Sequence, residues 1–218
     1  KINWKQFGGG GEVIKALASG AVQVGEVGSA GIAAAVSRGE PLELFWILDD
    51  IGDAEALVAK NGSGINTVAD LKGKKIATPF NSTSHFHTIV ALEQAHVNPA
   101  DVQILNMRPP EIRAAWQRGD IQATFIWDPV LTEVKKDGKV ITSSGKISAS
   151  TGKATFDGYV ANKDWAKANH DFMVKFVKLL AASDEKYRAN KAKWTADSPE
   201  VKAVAKWSGA KAENVPAG

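Results

Sequence analysis

The stretch EIRAAWQRGDIQATFIWDP, residues 111–129, decides the fold. Ile112 and Trp116 stand one helical turn apart, so they share a face. Gly119 stops the helix, as a glycine at a helix C-terminus does. An apolar run at 121–127 then reads as a strand. The same helix–glycine–strand device occurs at residues 12–24, EVIKALASGAVQV. The two segments align without a gap. Glu12 with Glu111, Ala16 with Ala115, Gly20 with Gly119 and Gln23 with Gln122 are identical. One such unit in each half of the chain predicts two similar α/β lobes.

Apolar periodicity extends this reading in both directions. Strands are expected at 2–7, 22–27 and 42–48, with helices at 12–19 and 29–38. The run at 42–48 is nearly all apolar, which predicts a strand covered on both faces. A second series of strands is expected at 55–60, 75–78, 102–106, 121–127, 140–142 and 155–161. Helices fall between them, and residues from 164 onward are mostly helical. Alternating strands and helices predict an α/β fold with mostly parallel sheets flanked by helices. The expected division is 1–54 for the first lobe, 55–160 for the second, and 161–218 for a helical segment returning toward the first. The hinge is expected near 49–60.

Composition narrows the function classes. The chain has 218 residues, 44% of them hydrophobic, and a formal net charge of +3. Its lysines are spread out, without the basic block that tracks a phosphate backbone, so nucleic acid is not an expected partner. There is no cysteine, which removes thiol catalysis, disulfides and cysteine-based zinc sites. No apolar run reaches the roughly 20 residues that span a bilayer. The chain starts at Lys1 without an initiator Met or signal peptide, as expected of a processed chain or a fragment. No GxSxG or HExxH motif is present. His85 and His87 are two residues apart and so lie on different sides of a helix. An enzyme is not expected, and no metal or cofactor is implied.

In open α/β sheets, ligands sit beyond the carboxyl ends of the strands. Candidate site residues are expected there. Ser82, Thr83 and Ser84 put three hydroxyls at a helix start, where free N–H groups and the dipole favour an anion. One hydroxyl would suffice for a plain cap. Gly28-Ser29 and the glycines at 8–11 offer similar N–H groups in the other half. Trp127 ends an apolar strand at the ligand-binding edge, where its ring could pack on a ligand or face a cation. Trp116 reads first as core. Arg118 reads first as a charge that suits a helix C-terminus. Glu55 and Asp157 sit in apolar contexts, AEALV and TFDGYV. Each needs a positive partner or good hydrogen bonds there, from the protein or from a ligand ammonium.

The segments PFNSTSHF, RPPEIRAAWQRGDIQATFIWDPVL, KKDGKV and IKALASGAVQVGEVGS resemble the periplasmic substrate-binding proteins of taurine ABC transporters. Those belong to a wider family that binds alkanesulfonates, nitrate and bicarbonate. The resemblance runs from Trp4 to Pro216. It implies a two-lobed periplasmic-binding fold of type II that closes on its ligand, in a chain truncated at both ends. It implies a monomeric, periplasmic carrier that delivers taurine or an alkanesulfonate to a membrane permease. Carried over, it suggests Ser29, Glu55, Ser82, Thr83, Trp116, Arg118, Trp127 and Asp157 as ligand-binding. Hydroxyls, N–H groups and Arg118 would hold the sulfonate. Asp157 and Glu55 would take the ammonium, with Trp127 on the two-carbon body. Glu26, in VGEVGS, departs from the Asn that taurine binders resemble there. The turn at 8–11 and the shorter region at 145–152 also depart. Two rivals on the same fold are a pyrimidine-precursor synthase, which the lack of cysteine argues against, and the effector domain of a transcription regulator.

Overall fold

The computed structural model describes residues 2–215. Residue 1 and residues 216–218, at the outer ends of the expected 1–54 and 161–218 segments, lie outside the described residues. The chain forms two compact units, Lys1–Trp165 and Ala166–Gly218. The first contains, in order, α1 (Gly10–Ala18), β1 (Val24–Gly28), α2 (Ser29–Ser37), β2 (Leu42–Asp50), β3 (Glu55–Lys60), β4 (Lys75–Thr78) and α3 (Thr83–Gln94). It continues with β5 (Gln103–Asn106), α4 (Pro109–Arg118), β6 (Ala123–Trp127), α5 (Val130–Val134), β7 (Gly138–Ser143), α6 (Ser144–Thr151) and β8 (Phe156–Asn162). Helix α7 (Lys163–Ala168) runs across the division.

Both expected helix–glycine–strand units are present as α1–β1 and α4–β6. Gly20 and Gly119 take left-handed φ values of 72° and 79°. A side chain there would clash with the backbone, so glycine is the residue that ends both helices. Residues 2–7, expected as a strand, are irregular and mostly exposed. They find no neighbouring strand to take up their backbone groups. Helix α6, at 144–151, was not expected, because its residues SGKISAST carry few apolar positions.

The strands form two sheets, ordered β1-β8-β2 and β5-β4-β6-β3-β7. The expectation of mostly parallel sheets needs refinement. β4 pairs parallel with β5 and β6. β3 runs antiparallel to both β6 and β7. β8 runs antiparallel to both β1 and β2. The smaller sheet is thus antiparallel throughout and the larger one mixed; each holds one reversed strand, and that strand is the one entering it from the other sheet.

This pairing moves one boundary. β8 was expected in the second lobe, within 55–160, but it lies between β1 and β2. The chain therefore crosses between the sheets twice, at 51–54 and at 152–155, where one hinge near 49–60 was expected. The two crossings touch. Ile51 N–H donates to the Thr155 carbonyl at 3.2 Å, and both residues are buried.

β2 also departs from expectation. It is an edge strand with β8 as its neighbour, and Ile47 is 59% exposed. The strand covered on both faces is instead β3. Its Leu57 and Ala59 pack into a cluster with Ile76, Leu92 and Phe125. Its Ala56 and Val58 pack into another with Ile112, Trp116 and Ile126. The smaller sheet has its own core of Ile14, Leu17, Val27, Ile32, Ala35, Leu42 and Val160.

The second unit is helical, with α8 (His170–Asn190) and α9 (Pro199–Ser208). Lys186 Nζ pairs with Glu200 at 2.7 Å. Tyr187 meets Trp194 edge-on at 5.4 Å. No helix among the described residues is long and apolar enough to cross a membrane.

Candidate functional site

The near-repeat has a structural consequence at the strand ends. Gly28 ends β1 and stands opposite Asp157 in the β1–β8 pairing. Trp127 ends β6 and stands opposite Glu55 in the β3–β6 pairing. Each reversed strand thus carries a carboxylate at its first or second position, opposite the end of the repeat's strand. The two ends meet. A Cβ placed on Gly28 would lie 2.9 Å from Thr83 Cγ2 and 3.2 Å from Asp157 Oδ1. Glycine is required here by the approach of the second sheet's helix α3 to the first sheet's edge.

On the side of the larger sheet, Glu55 is 4% exposed. Its Oε1 accepts from Thr83 Oγ1 at 2.6 Å. Its Oε2 lies 3.2 Å from Ser144 Oγ, at the start of α6. Ser84 Oγ, fully buried, stands beside the same carboxyl without closing a hydrogen bond. Burial pushes the Glu55 carboxyl above the ordinary range, against the lowering effect of the neighbouring hydroxyls, with Asp49 adding to the rise. Ser144 Oγ is also 2.7 Å from His87 Nδ1. His87 Nε2 lies 2.9 Å from the Lys153 carbonyl in the second crossing. Burial pushes His87 down, and that carbonyl partly offsets it.

On the side of the smaller sheet, three carboxylates gather. Asp157 N–H donates to Asp49 Oδ1 at 3.1 Å. Burial, then Glu26, Asp49 and Glu55, push the Asp157 carboxyl up to about 8. Glu26 keeps water contact on the open face of β1 but has protein mass around it. That desolvation and Asp49 raise it as well. Asp49 is raised by burial and by Asp50, with the Asp157 N–H acting the other way. None of the ion pairs among the described residues involves Glu26, Asp49, Glu55 or Asp157. Burial and like-charged neighbours favour the protonated forms of these carboxyls.

The expected site residues therefore divide. Glu55, Thr83 and Asp157 come together around Gly28. Ser82 caps α3, accepting from His85 N–H at 3.1 Å and donating to the Pro79 carbonyl at 2.6 Å. Ser29 opens α2, and its Oγ accepts from Phe156 N–H at 3.2 Å, beside Asp157. Trp127 is at the correct edge, but it is half-buried and packs against the cluster of Ile126, Val130 and Leu131. Trp116 and Arg118 are not in the cleft. Trp116 is 3% exposed and donates Nε1–H to Asp137 at 2.7 Å. Its carbonyl accepts from Lys60 Nζ, at the far end of β3 from Glu55. Five strand residues separate those ends by about 16 Å. Arg118 is solvent-facing and pairs with Asp120 at 2.8 Å. The helix that carries them points its C-terminus away from the strand ends, so residues late in α4 cannot reach the ligand edge.

Sequence reading missed Asp49, Ser144 and His87. Asp49 follows an apolar strand, a signal that was available. Ser144 and His87 join through 57 intervening residues, which no local pattern reveals. Phe80 and His85 also stack at this rim, 4.3 Å between ring centres.

Known proteins resemble this chain over most of its length. The family model described as "NMT1/THI5 like" matches residues 1–192. The chain is 38% identical to the taurine-binding periplasmic protein of Escherichia coli K12, over 99% of this chain and 66% of that protein. This chain thus spans slightly under two thirds of that relative's length. The crystal structure of the periplasmic aliphatic sulphonate binding protein SsuA from Escherichia coli is similar at a TM-score of 0.78 and 27% identity, covering 99% of this chain and 71% of that one. SsuA from Xanthomonas axonopodis pv. citri, solved bound to MOPS, is similar at a TM-score of 0.84 and 25% identity, with the same coverages. The two-lobed α/β fold read from the sequence is the fold of these periplasmic binding proteins. The chain belongs to the NMT1/THI5-like family.

Proposed function

We propose that this chain is the ligand-capturing part of the solute-binding component of an ABC importer. It takes taurine or a related sulfonate into the cleft between its two sheets, outside the cytoplasm, as a monomer, and delivers it to a membrane permease. The observation that carries this reading is the group Glu26, Asp49 and Asp157, raised carboxylates with no protein cation, facing the start of α3. A zwitterion suits both walls. Its ammonium neutralises carboxylates that otherwise retain protons. Its sulfonate meets N–H groups and hydroxyls at a helix N-terminus. The relatives named for taurine and for aliphatic sulfonates support the ligand class.

Nothing in the site calls for catalysis, and the reading is of a carrier. A protonated Asp157 would also admit a plain alkanesulfonate, which is the competing ligand. Titration calorimetry of this chain with taurine and with ethanesulfonate separates the two. Stronger taurine binding, reduced to the ethanesulfonate level by Asp157→Asn, is the expected result. Equal or reversed preference in the unmutated chain removes the ammonium role of Asp157.

A further inference from the structure

The hydrogen bonds around Ser144 constrain the protons of its neighbours. The Lys153 carbonyl can only accept, so His87 Nε2, 2.9 Å away, carries a hydrogen. His87 is fully buried, between Phe86 and Phe125, and no acidic side chain among the described residues pairs with it. A cationic ring there would be costly, and burial pushes its titration downward. His87 is therefore neutral, and Nδ1 presents a lone pair. The 2.7 Å contact to Nδ1 then uses the single proton of the Ser144 hydroxyl. That leaves lone pairs on the Ser144 oxygen facing Glu55 Oε2, 3.2 Å away. Two acceptors without a hydrogen between them would repel. The other carboxyl oxygen, Oε1, already accepts from Thr83.

We propose that Glu55 is a carboxylic acid in the ligand-free protein, and that Ser144 and His87 are positioning residues that hold its proton on Oε2. The proton order runs from Glu55 Oε2–H to Ser144, from Ser144 Oγ–H to His87 Nδ1, and from His87 Nε2–H to the Lys153 carbonyl. Every donor has an acceptor. The surroundings of Glu55 agree. Thr83 and Ser84 face it from α3, Ser144 from α6, and the Asp49 carboxylate acts on it from β2. Asp53, the next nearest acid along the chain, is tied to Ser143. No cation is among these groups.

The consequence is a division of labour in the cleft, which rests on the transport reading above. The wall built by the larger sheet is uncharged, so an anion at the start of α3 meets no carboxylate there. The charge-bearing wall is that of Glu26, Asp49 and Asp157. Glu55 thus serves the sulfonate end by staying neutral, rather than the ammonium end.

The test needs no ligand. Carbon-13 spectra of the full chain labelled at glutamate carboxyls would follow Glu55, assigned through the signal lost in Glu55→Gln. The expected result is an acid signal that persists above the pH range in which an ordinary glutamate ionises. Nitrogen-15 spectra should give His87 with Nε2 protonated and Nδ1 bare. Ser144→Ala supplies a sign. If Ser144 accepts from the acid, its loss lowers the Glu55 midpoint, and Ser144→Thr restores it. If Ser144 instead donates to a carboxylate, its loss raises the midpoint, and the proposal is overturned. A Glu55 midpoint within the ordinary glutamate range, or a doubly protonated His87, overturns it too. Failure to bind taurine or ethanesulfonate would sink the transport reading and leave the proton assignment standing.

Discussion

Asp157 shows how much a single residue's environment changes its chemistry. Its sequence context announced a carboxylate in an apolar strand. The carboxylates that act on it most, Glu26 and Asp49, come from β1 and β2, and no local pattern joins them. With its folded value at about 8 and an unfolded value near 3.9, the folded state keeps a proton that the unfolded state has lost between those limits. Its contribution to stability is therefore complete below about pH 4 and disappears as the pH rises through about 8. The melting temperature of the ligand-free chain should fall from pH 5 to pH 8, and Asp157→Asn should flatten that slope. Ligand binding runs the other way. An ammonium prefers the ionised form, so taurine affinity should rise with pH toward 8, by up to about tenfold per unit. Calorimetry in two buffers of different ionisation enthalpy should register proton release at pH 7. Taurine affinity that stays flat over this range would mean that Asp157 does not take the ammonium.

At the scale of the element, α4 with its glycine stop was the most legible part of the chain. Its apolar spacing named the buried face, Ile112 and Trp116. Its direction relative to the sheet was not legible, so nothing in the sequence corrected the ligand role that the family resemblance suggested for Trp116 and Arg118. Trp116 holds Asp137 through its indole N–H under the Lys60 ammonium, 5.1 Å from the ring. Trp116→Phe should cost about 1–3 kcal/mol of stability, because the buried end of the Asp137 contact is lost. It should leave sulfonate affinity unchanged. Urea unfolding alongside calorimetry would read both, and a large loss of affinity would return Trp116 to the cleft. Gly119→Ala forces a side chain into the left-handed region. About 1–2 kcal/mol of destabilisation is expected by the same unfolding measurement.

The whole molecule adds an ion pair that the repeat foreshadowed without revealing. Glu12 and Glu111 occupy the same position in the two repeat units, and both contact Arg108, at 3.4 Å and 3.0 Å. Glu12 belongs to α1 beside the smaller sheet, and Arg108 caps α4 beside the larger one. The Glu12 carboxylate also accepts from Gly8 N–H at 2.9 Å. This solvent-exposed pair joins an element beside the smaller sheet to one beside the larger. Exposure limits its strength. Arg108→Ala should weaken ligand binding by no more than about fivefold, with the effect fading as salt screens the unmutated pair. A loss of a hundredfold would mean that Arg108 touches the ligand.

The sequence by itself determined the repeat units, the helix stops at Gly20 and Gly119, the α/β class and the buried stripes. All of these depend on residues a few positions apart, where backbone sterics and apolar periodicity act. The carboxylates of Glu55 and Asp157 were legible for the same reason, as charges out of place in apolar runs. Tertiary structure decided which strand lies beside which, and so that β8 returns to the smaller sheet through a second crossing. It also decided which end of each helix meets the cleft, and which acid holds a proton. Those outcomes depend on contacts such as Glu55 with Ser144, 89 residues apart. Only the packed chain brings such groups within hydrogen-bonding distance, and only there does burial set their charge.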